Sequence, residues 1–218
     1  MNERTLTVKG IGNISAKPDL IIITLTLATT TPDYAKTNEL AALELETLRK
    51  AIVSCGHEGQ SLKTTNFNIR TENESFRDEA GNYRYKFKGY SCIHSLKLEF
   101  GFDMKMLGET LAAISSSGTN PQFQISFSVK DENAVQAELL ENAIINATEK
   151  AAVLAKSSGV KLGDIKHINY SWGEIHLSSE TCFNDSLVCE SRLMPMNIDI
   201  EPEDVKASDT VTVIWEIK

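Results

Sequence analysis

The sequence predicts an α+β fold in which mixed, mostly antiparallel sheets carry helices on one face. Two periodicities support this prediction: apolar and polar residues alternate in some stretches, as in half-buried strands, and apolar residues recur every three or four positions in others, as in amphipathic helices. The elements follow the order β-β-α-β-β-α-β-α-β-β. Strands that come in pairs between helices favour long hairpins with helices covering one sheet face.

The first strand is predicted over Thr5–Ile14, where apolar and polar residues alternate. Gly10 and Gly12 weaken its end and predict a bulge or a bend. A second strand follows Pro18 and Asp19, and we interpret the Asp19 carboxylate as an acceptor for backbone N–H groups rather than as a catalytic group. The apolar face of the second strand comprises Ile21, Ile23, Leu25 and Leu27.

The first helix is expected to begin with Thr31 as the N-cap and Pro32 at the first helical position. Gly56 is expected to end it as a left-handed cap. The apolar stripe between these residues comprises Tyr34, Ala41, Leu45, Leu48 and Ile52.

A long hairpin arm follows, with one strand over Leu62–Thr71 and a second that starts near Tyr83 and carries a bulge at Gly89. Four aromatic residues crowd this arm: Tyr83, Tyr85, Phe87 and Tyr90. Aromatic residues on alternating strands either pack on the core or form an edge that pairs with another subunit. Packing on the core is the default expectation, and an intersubunit interface is the alternative.

The second half of the chain carries two helices, three strands and one irregular stretch. The longest helix begins after Asp131 and runs to about Ser158, with three alanines in its inner stripe that allow close approach to a sheet. That stripe comprises Val135, Leu139, Ala143, Ala147, Ala151 and Leu154. The other predicted elements are a helix with Met104, Leu107, Leu111 and Ile114, strands over Phe123–Val129, Ile165–Leu177 and Val211–Ile217, and an irregular segment over Ser178–Asp204.

The charge of the chain is negative and unevenly distributed. The net charge is −8, from 30 acidic and 22 basic residues, which argues against binding along nucleic-acid phosphates and against docking on anionic lipid. Residues 178–204 hold seven acidic residues against Arg192 alone. The rest of the chain is therefore nearly neutral, and its charge does not oppose self-association.

The catalytic and metal-binding motifs with a fixed spacing are absent. The chain has no phosphate-binding glycine loop, no H-E-x-x-H and no G-x-S-x-G, and Gly10-Ile11-Gly12 leads into another strand. No catalytic residue and no cofactor is predicted. Among the other histidines, His57 is expected in a solvated loop and His94 on a packed or surface strand face. The weak candidates for a metal site are His167, His176, Cys182 and Cys189.

None of the four cysteines forms a C-x-x-C pair, so reduced thiols are expected, with a Cys182–Cys189 bridge as the alternative. The chain is predicted to be one domain over residues 1–218, with two lobes, 1–102 and 103–218, that meet near Asp103. The polar start lacks a secretory signal, and no run of apolar residues is long enough for membrane insertion. A cytoplasmic location is expected, or a periplasmic one if a signal has been removed.

Several short motifs occur together and in a fixed order. They are Val8-x-Gly10-x-Gly12, Ala16-x-Pro18-Asp19, Gly89-Tyr90, Gly118-x-Asn120 with Phe127, the helix residues Ala143, Ala147, Lys150, Ala151 and Ala155, Gly159-Val160-x-Leu162-Gly163, and a final Val-x-Val strand. In this order the chain resembles the SIMPL-domain family over nearly its whole length. Each motif is weak alone, and their order and spacing make the resemblance specific.

The resemblance implies an α+β fold. Bacterial members of the family are often periplasmic or envelope proteins that are linked to stress tolerance. Some of them assemble into large ring-like homo-oligomers. The resemblance implies the same properties for this chain. The mammalian namesake is implicated in inflammatory kinase signalling. The family supplies no catalytic residues that transfer to this chain. The lack of a signal and the cysteines at 182 and 189 depart from the secreted members.

The leading functional prediction is a non-enzymatic, self-assembling scaffold or interaction protein, related to stress, that forms a homo-oligomer or binds a protein partner. Its basis is a long β arm on an α+β body without a catalytic constellation. No binding to nucleic acid and no insertion into a membrane are expected. The alternative is a protein that binds a small ligand or a metal through residues 167–189.

Overall fold

The computed structural model describes residues 4–77, 81–170, 175–184 and 200–218. Within them lie eight strands and three helices in two antiparallel sheets, which confirms the predicted α+β class. The elements are β1 (Thr5–Ala16), β2 (Leu20–Thr31), α1 (Tyr34–Ser54), β3 (Lys63–Arg77), β4 (Tyr83–Gly101), α2 (Met104–Ser116), β5 (Gln122–Ser128), α3 (Glu132–Ser157), β6 (Leu162–Tyr170), β7 (Ser178–Asn184) and β8 (Val205–Ile217). None of the helices in the described ranges is long and apolar enough to cross a membrane.

The smaller sheet has three strands in the order β1-β8-β6. β1 pairs with β8 without interruption, from Thr5 opposite Glu216 to Ala16 opposite Val205. The predicted bulge or bend at Gly10 and Gly12 is therefore wrong, since both glycines keep a regular partner in this ladder.

The two glycines instead make room for α3. A Cβ atom on Gly10 would lie 2.0 Å from the carbonyl oxygen of Ala143, and one on Gly12 would lie 2.0 Å from that of Leu139. The helix backbone thus occupies the space that a side chain would need. The buried stripe of α3 comprises Leu139, Ala143, Ala147, Ala151 and Ala155. The prediction of Leu154 in this stripe is wrong, because its side chain is 45% exposed.

Because α3 lies so close, its polar side chains reach the outer edge of β1. Asn142, Asn146 and Lys150 are spaced four residues apart and form one row along the helix. They bond to alternate residues of the strand: Ile11 N donates to Asn146 Oδ1 (3.0 Å), Asn142 Nδ2 donates to Asn13 O (3.3 Å) and Lys150 Nζ donates to Lys9 O (3.3 Å). Three backbone groups on this edge therefore already have hydrogen-bond partners. In a free edge strand such groups are open to another chain.

The larger sheet has five strands in the order β3-β4-β2-β5-β7. β2 pairs with β4 from Leu20 opposite Gly101 to Thr31 opposite Tyr90, so its apolar face lies beside that of β4. The buried core of these strands and of α1 and α2 includes Ile21, Ile23, Leu25, Leu48, Ile52, Leu96, Leu98 and Leu107.

The first helix begins two residues later than predicted. Asp33, not Thr31, is the N-cap, and its carboxylate accepts a hydrogen bond from Lys36 N at 2.8 Å. Thr31 ends β2, and its hydroxyl donates to the carbonyl of Asp33 at 2.8 Å. Gly56 ends the helix with φ +95°, as predicted. An aspartate also caps α2 and α3, at Asp103 and at the predicted Asp131.

Asp19 has the predicted backbone-capping role. Its Oδ1 accepts a hydrogen bond from Lys130 N at 2.7 Å, and its own N donates to Ser128 O at 3.0 Å. The two bonds tie the start of β2 to the end of β5 across more than a hundred residues of sequence.

The chain divides into two compact units, each assembled from segments that are distant in sequence. One unit contains Met1–Asp19, Phe127–Thr181 and Pro202–Lys218, and the other contains Leu20–Ser126 and Cys182–Glu201. The division is discontinuous because β1 and β8, from opposite ends of the chain, belong to one sheet.

The predicted irregular segment 178–204 is partly wrong. Its first residues, Ser178–Asn184, form β7. Ser179 is buried, and its hydroxyl donates to Glu203 O at 2.7 Å, while Glu203 N donates to Thr181 Oγ1 at 3.0 Å. These hydroxyl contacts hold the strand to the chain before β8, although its sequence is not apolar. Residues 185–199 of the predicted segment lie outside the described residues.

Replacing Gly10 by Ala is expected to lower the free energy of unfolding by about 1–3 kcal/mol or more, because the new methyl group overlaps the Ala143 carbonyl. Urea unfolding measures the change. Gly59→Ala is the matched control, since its Cβ would meet only Val53 Cγ2 at 3.7 Å. Equal stability of Gly10→Ala and wild type would contradict the close helix–strand contact.

Candidate functional site

The β3–β4 hairpin extends past the end of β2. β2 reaches only to Tyr90 on β4, so the residues of β4 before Tyr90 pair with β3 alone. We call residues 73–77 of β3 and 83–87 of β4 the arm. It is a two-stranded ribbon, and its pairing runs from Asn73 opposite Phe87 to Arg77 opposite Tyr83.

The predicted bulge near Gly89 is confirmed, and it determines which way the arm's aromatic rings face. Glu72 pairs with Gly89 and Asn73 with Phe87, so Lys88 is the extra residue. The extra residue shifts the alternation of β4 by one position. Phe87 consequently lies on the same face as Tyr90, and their ring centroids are 5.3 Å apart.

Gly89 is required at this bulge. A Cβ atom there would lie 2.4 Å from the carbonyl oxygen of Thr31, and its φ is +155°. The backbone of β4 therefore approaches the end of β2 more closely than a side chain allows.

The expectation that the arm's aromatic residues pack on the core is wrong for three of the four. Tyr83 is 66% exposed, Tyr85 is 78% exposed and Phe87 is 50% exposed. Tyr90 is half-buried and packs edge-to-face on Tyr34, with centroids 5.4 Å apart. Three large rings thus lie in a row on one open face, an arrangement that monomers rarely leave uncovered.

β3 is the outer strand of the larger sheet, and almost all of its length is exposed. Only Ile69 and Glu72 of its 15 residues are half-buried. It carries charges of both signs: Arg70 and Glu72 form an ion pair at 3.2 Å, and the Arg77 guanidinium lies 4.9 Å from the centre of the Tyr83 ring. An edge of this length offers many backbone groups to a further strand.

His94 is packed, which is one of the two positions that the sequence predicts for it. It is 5% exposed, its Nε2 shares a hydrogen bond with Thr64 Oγ1 at 2.9 Å, and Phe67 packs edge-to-face on its ring. Its buried Nδ1 has no hydrogen-bond partner in the described part of the chain. Burial lowers the pKa of His94 below its ordinary value of 6.5, and the charge of Arg49 lowers it further.

The prediction that His57 is solvated is wrong. Its side chain is 6% exposed, and Nε2 lies 2.7 Å from Thr110 Oγ1. The Thr110 hydroxyl donates its hydrogen to Met106 O at 2.6 Å, so it accepts a hydrogen bond from the imidazole, which carries a proton on Nε2. Burial lowers the pKa of His57 below 6.5. No local pattern in the sequence signals this burial, because the partner lies on α2.

Three of the four candidate metal residues lie in the described part of the chain, and none of the three belongs to a metal-binding group there. His167, His176 and Cys182 are exposed, and Cys189 lies outside the described residues. In the ranges that the structure describes, no three His, Cys, Asp or Glu side chains are grouped so that they could hold a metal ion.

The described cysteines, Cys55, Cys92 and Cys182, carry free thiols. Burial raises the pKa of Cys55 above its ordinary 9.0, although a hydrogen bond with Ser54 lowers it, and burial with the charge of Glu44 raises the pKa of Cys92. Both thiols therefore remain protonated and weakly nucleophilic at neutral pH.

The fold and the site define an α+β protein with two antiparallel sheets, an open edge strand and an exposed aromatic arm. The chain belongs to the SIMPL family, a protein family of unknown function (DUF541), whose family model matches residues 6–215. It is 27% identical over 169 residues to the "26 kDa periplasmic immunogenic protein" of Brucella melitensis biotype 1 and to that of Brucella abortus strain S19. The match covers 75% of this chain, which spans 65% of the length of these curated relatives.

Acidification is expected to destabilise the fold through His57 and His94. Their lowered pKa values mean that the unfolded chain binds protons at these imidazoles near pH 6.5, before the folded chain does. The contribution of these two histidines to the free energy of unfolding is thus fully present above that pH. It declines as the pH falls toward the lower pKa values of the folded state. Urea midpoints measured between neutral and mildly acidic pH report the slope.

The double variant His57→Gln, His94→Gln should flatten this pH dependence relative to wild type. The matched control is His167→Gln, His176→Gln, since both of those side chains are exposed. If the control flattens the profile as much as the buried pair does, the buried histidines are not its source.

Proposed function

We propose that this protein is a non-enzymatic, self-assembling scaffold or interaction protein that associates through the arm and the edge of β3. The observation that carries the proposal is the row of Tyr83, Tyr85 and Phe87, exposed on a ribbon whose outer strand is a sheet edge. A homo-oligomer is the assembly that this surface favours.

The energetic argument rests on burying the aromatic row. A large apolar side chain gains about 1.5–3 kcal/mol when it is transferred from water to a packed interface. Aromatic anchors of this kind dominate the binding energy of interfaces. Burying three such rings therefore contributes favourable free energy that offsets part of the cost of association.

The distribution of charge also supports self-association. Most of the net charge of −8 lies in residues 178–204, so the rest of the chain is close to neutral. β3 itself carries charges of both signs, with Lys63, Arg70 and Arg77 against Glu72 and Glu74. Such an edge attracts a second copy if the copies align opposite charges.

The non-enzymatic part of the proposal draws support from how the buried histidines are used. His57 and His94 each share a hydrogen bond with one threonine hydroxyl and pack against the ring of Phe100 or Phe67. We interpret these contacts as structural, because both imidazoles are almost fully buried, with exposures of 6% and 5%. The link with stress tolerance that the resemblance implies remains a prediction.

The location of the protein is also a proposal. The Brucella relatives are named as periplasmic proteins, and this favours the periplasmic alternative over the cytoplasmic one for this chain. Fractionation of cells that express the complete native gene would distinguish the two compartments.

Replacing the exposed rings is expected to weaken assembly. Wild-type protein should show, by light scattering after size exclusion, a mass that is a multiple of the 24.1 kDa chain. The variant Tyr83→Ser, Tyr85→Ser, Phe87→Ser should shift toward the mass of one chain, because it loses the apolar area that association buries.

The matched control removes exposed apolar groups elsewhere, with Leu43→Ser, Val53→Ser and Val153→Ser on α1 and α3. It should retain the wild-type mass. A wild-type protein that stays monomeric at high micromolar concentration would overturn the proposed function. Circular dichroism checks that each variant is folded.

A further inference from the structure

We propose that a second copy of this chain adds to the outer edge of β3 in antiparallel orientation, with a two-fold axis that passes through Thr71. The inference rests on the proposed function and specifies its register. The two copies would then form one continuous sheet across their β3 strands, as in other cases of strand addition.

The charges of β3 select this register. In a two-fold antiparallel pair, residues equally distant from the axis on opposite sides face each other on the same sheet face. With the axis at Thr71, Arg70 of each copy faces Glu72 of the other. The arrangement contains this attractive pair twice, and no like charges face each other along the described part of the strand.

Neighbouring registers are repulsive. An axis at Arg70, Glu72 or Glu74 places that charged residue opposite its own copy, and an axis at Asn73 places Glu72 opposite Glu74 twice. Like charges directly opposite each other destabilise a strand pair. Of the registers centred on residues 70–74, the one at Thr71 is therefore favoured.

The same register brings exposed apolar residues of the two copies onto one face. Ser75 faces Phe67 of the second copy, and Ser75 is itself opposite Tyr85 on β4. Phe67 is 49% exposed and Tyr85 is 78% exposed, and only the small Ser75 side chain separates them. An equivalent arrangement lies two residues further along, where Asn73 separates Ile69 of the second copy from Phe87. Strands lie about 5 Å apart, so rings on alternate strands can meet above a small residue.

Charge reversals test the register. The substitution Arg70→Glu should bring a second carboxylate opposite Glu72 of the other copy, and Glu72→Arg should bring a second guanidinium opposite Arg70. Each variant alone should therefore associate roughly ten-fold or more weakly at low salt. An equimolar mixture of the two variants should recover association, because the two carboxylates of one copy then face the two guanidinium groups of the other. Sedimentation velocity of the separate and mixed proteins measures this.

Lys105→Glu and Glu109→Arg are matched controls, since they reverse an exposed ion pair of 3.8 Å on α2 and change the net charge equally. They should associate as wild type does, alone and mixed. If wild type associates but the β3 reversals have no effect, or the mixture does not recover, this register is wrong while the proposed function stands. If wild type is monomeric, both fall.

A cross-link provides a second readout. Thr71 is the residue that faces its own copy, so Thr71→Cys, in a background with Cys182 and Cys189 replaced by serine, should form a disulfide-linked dimer on oxidation. Asn73→Cys in the same background should not, because the two thiols would lie roughly 13 Å apart along the strands. Equal cross-linking of the two variants would overturn the register.

Discussion

The contact between α3 and β1 is the constraint on which the smaller sheet depends. Without side chains at Gly10 and Gly12, the carbonyl groups of Leu139 and Ala143 can lie directly on the strand. The alanines of the buried helix face keep the two backbones close along their length. This proximity places the polar row of α3 within hydrogen-bonding distance of the outer edge of β1, so one packing contact also satisfies an edge strand.

The outer strand of the larger sheet is more open than β1, and this difference bears on the proposed function. β3 is an outer strand along 15 residues, and no helix row like that of α3 bonds to its edge in the hydrogen bonds that the structure shows for the described residues. On β4, the single extra residue Lys88 turns Phe87 toward the face of Tyr90. Edge exposure and this shift of one position together produce a surface suited to association.

Local patterns anticipated much of this fold because their physical causes are local. Alternation identified the strands, the helical period identified α1, α2 and α3, and Gly56 with its positive φ ended α1 as expected. The errors arose where the partner is distant in sequence. The buried His57 bonds to Thr110 on α2, and β7 bonds to the backbone of Glu203. The two glycines that predicted a bulge or a bend accommodate a helix more than a hundred residues away.

The sequence by itself determined the α+β class, the capping role of Asp19, the bulge beside Gly89 and the presence of aromatic residues on the arm, since each follows from residue types within a few positions. Only the tertiary structure decided that those rings are exposed, that β3 is an outer strand and that the predicted metal residues do not gather in the described ranges. Exposure and edge position depend on which other segments cover a strand, and the sequence of the strand does not contain that information.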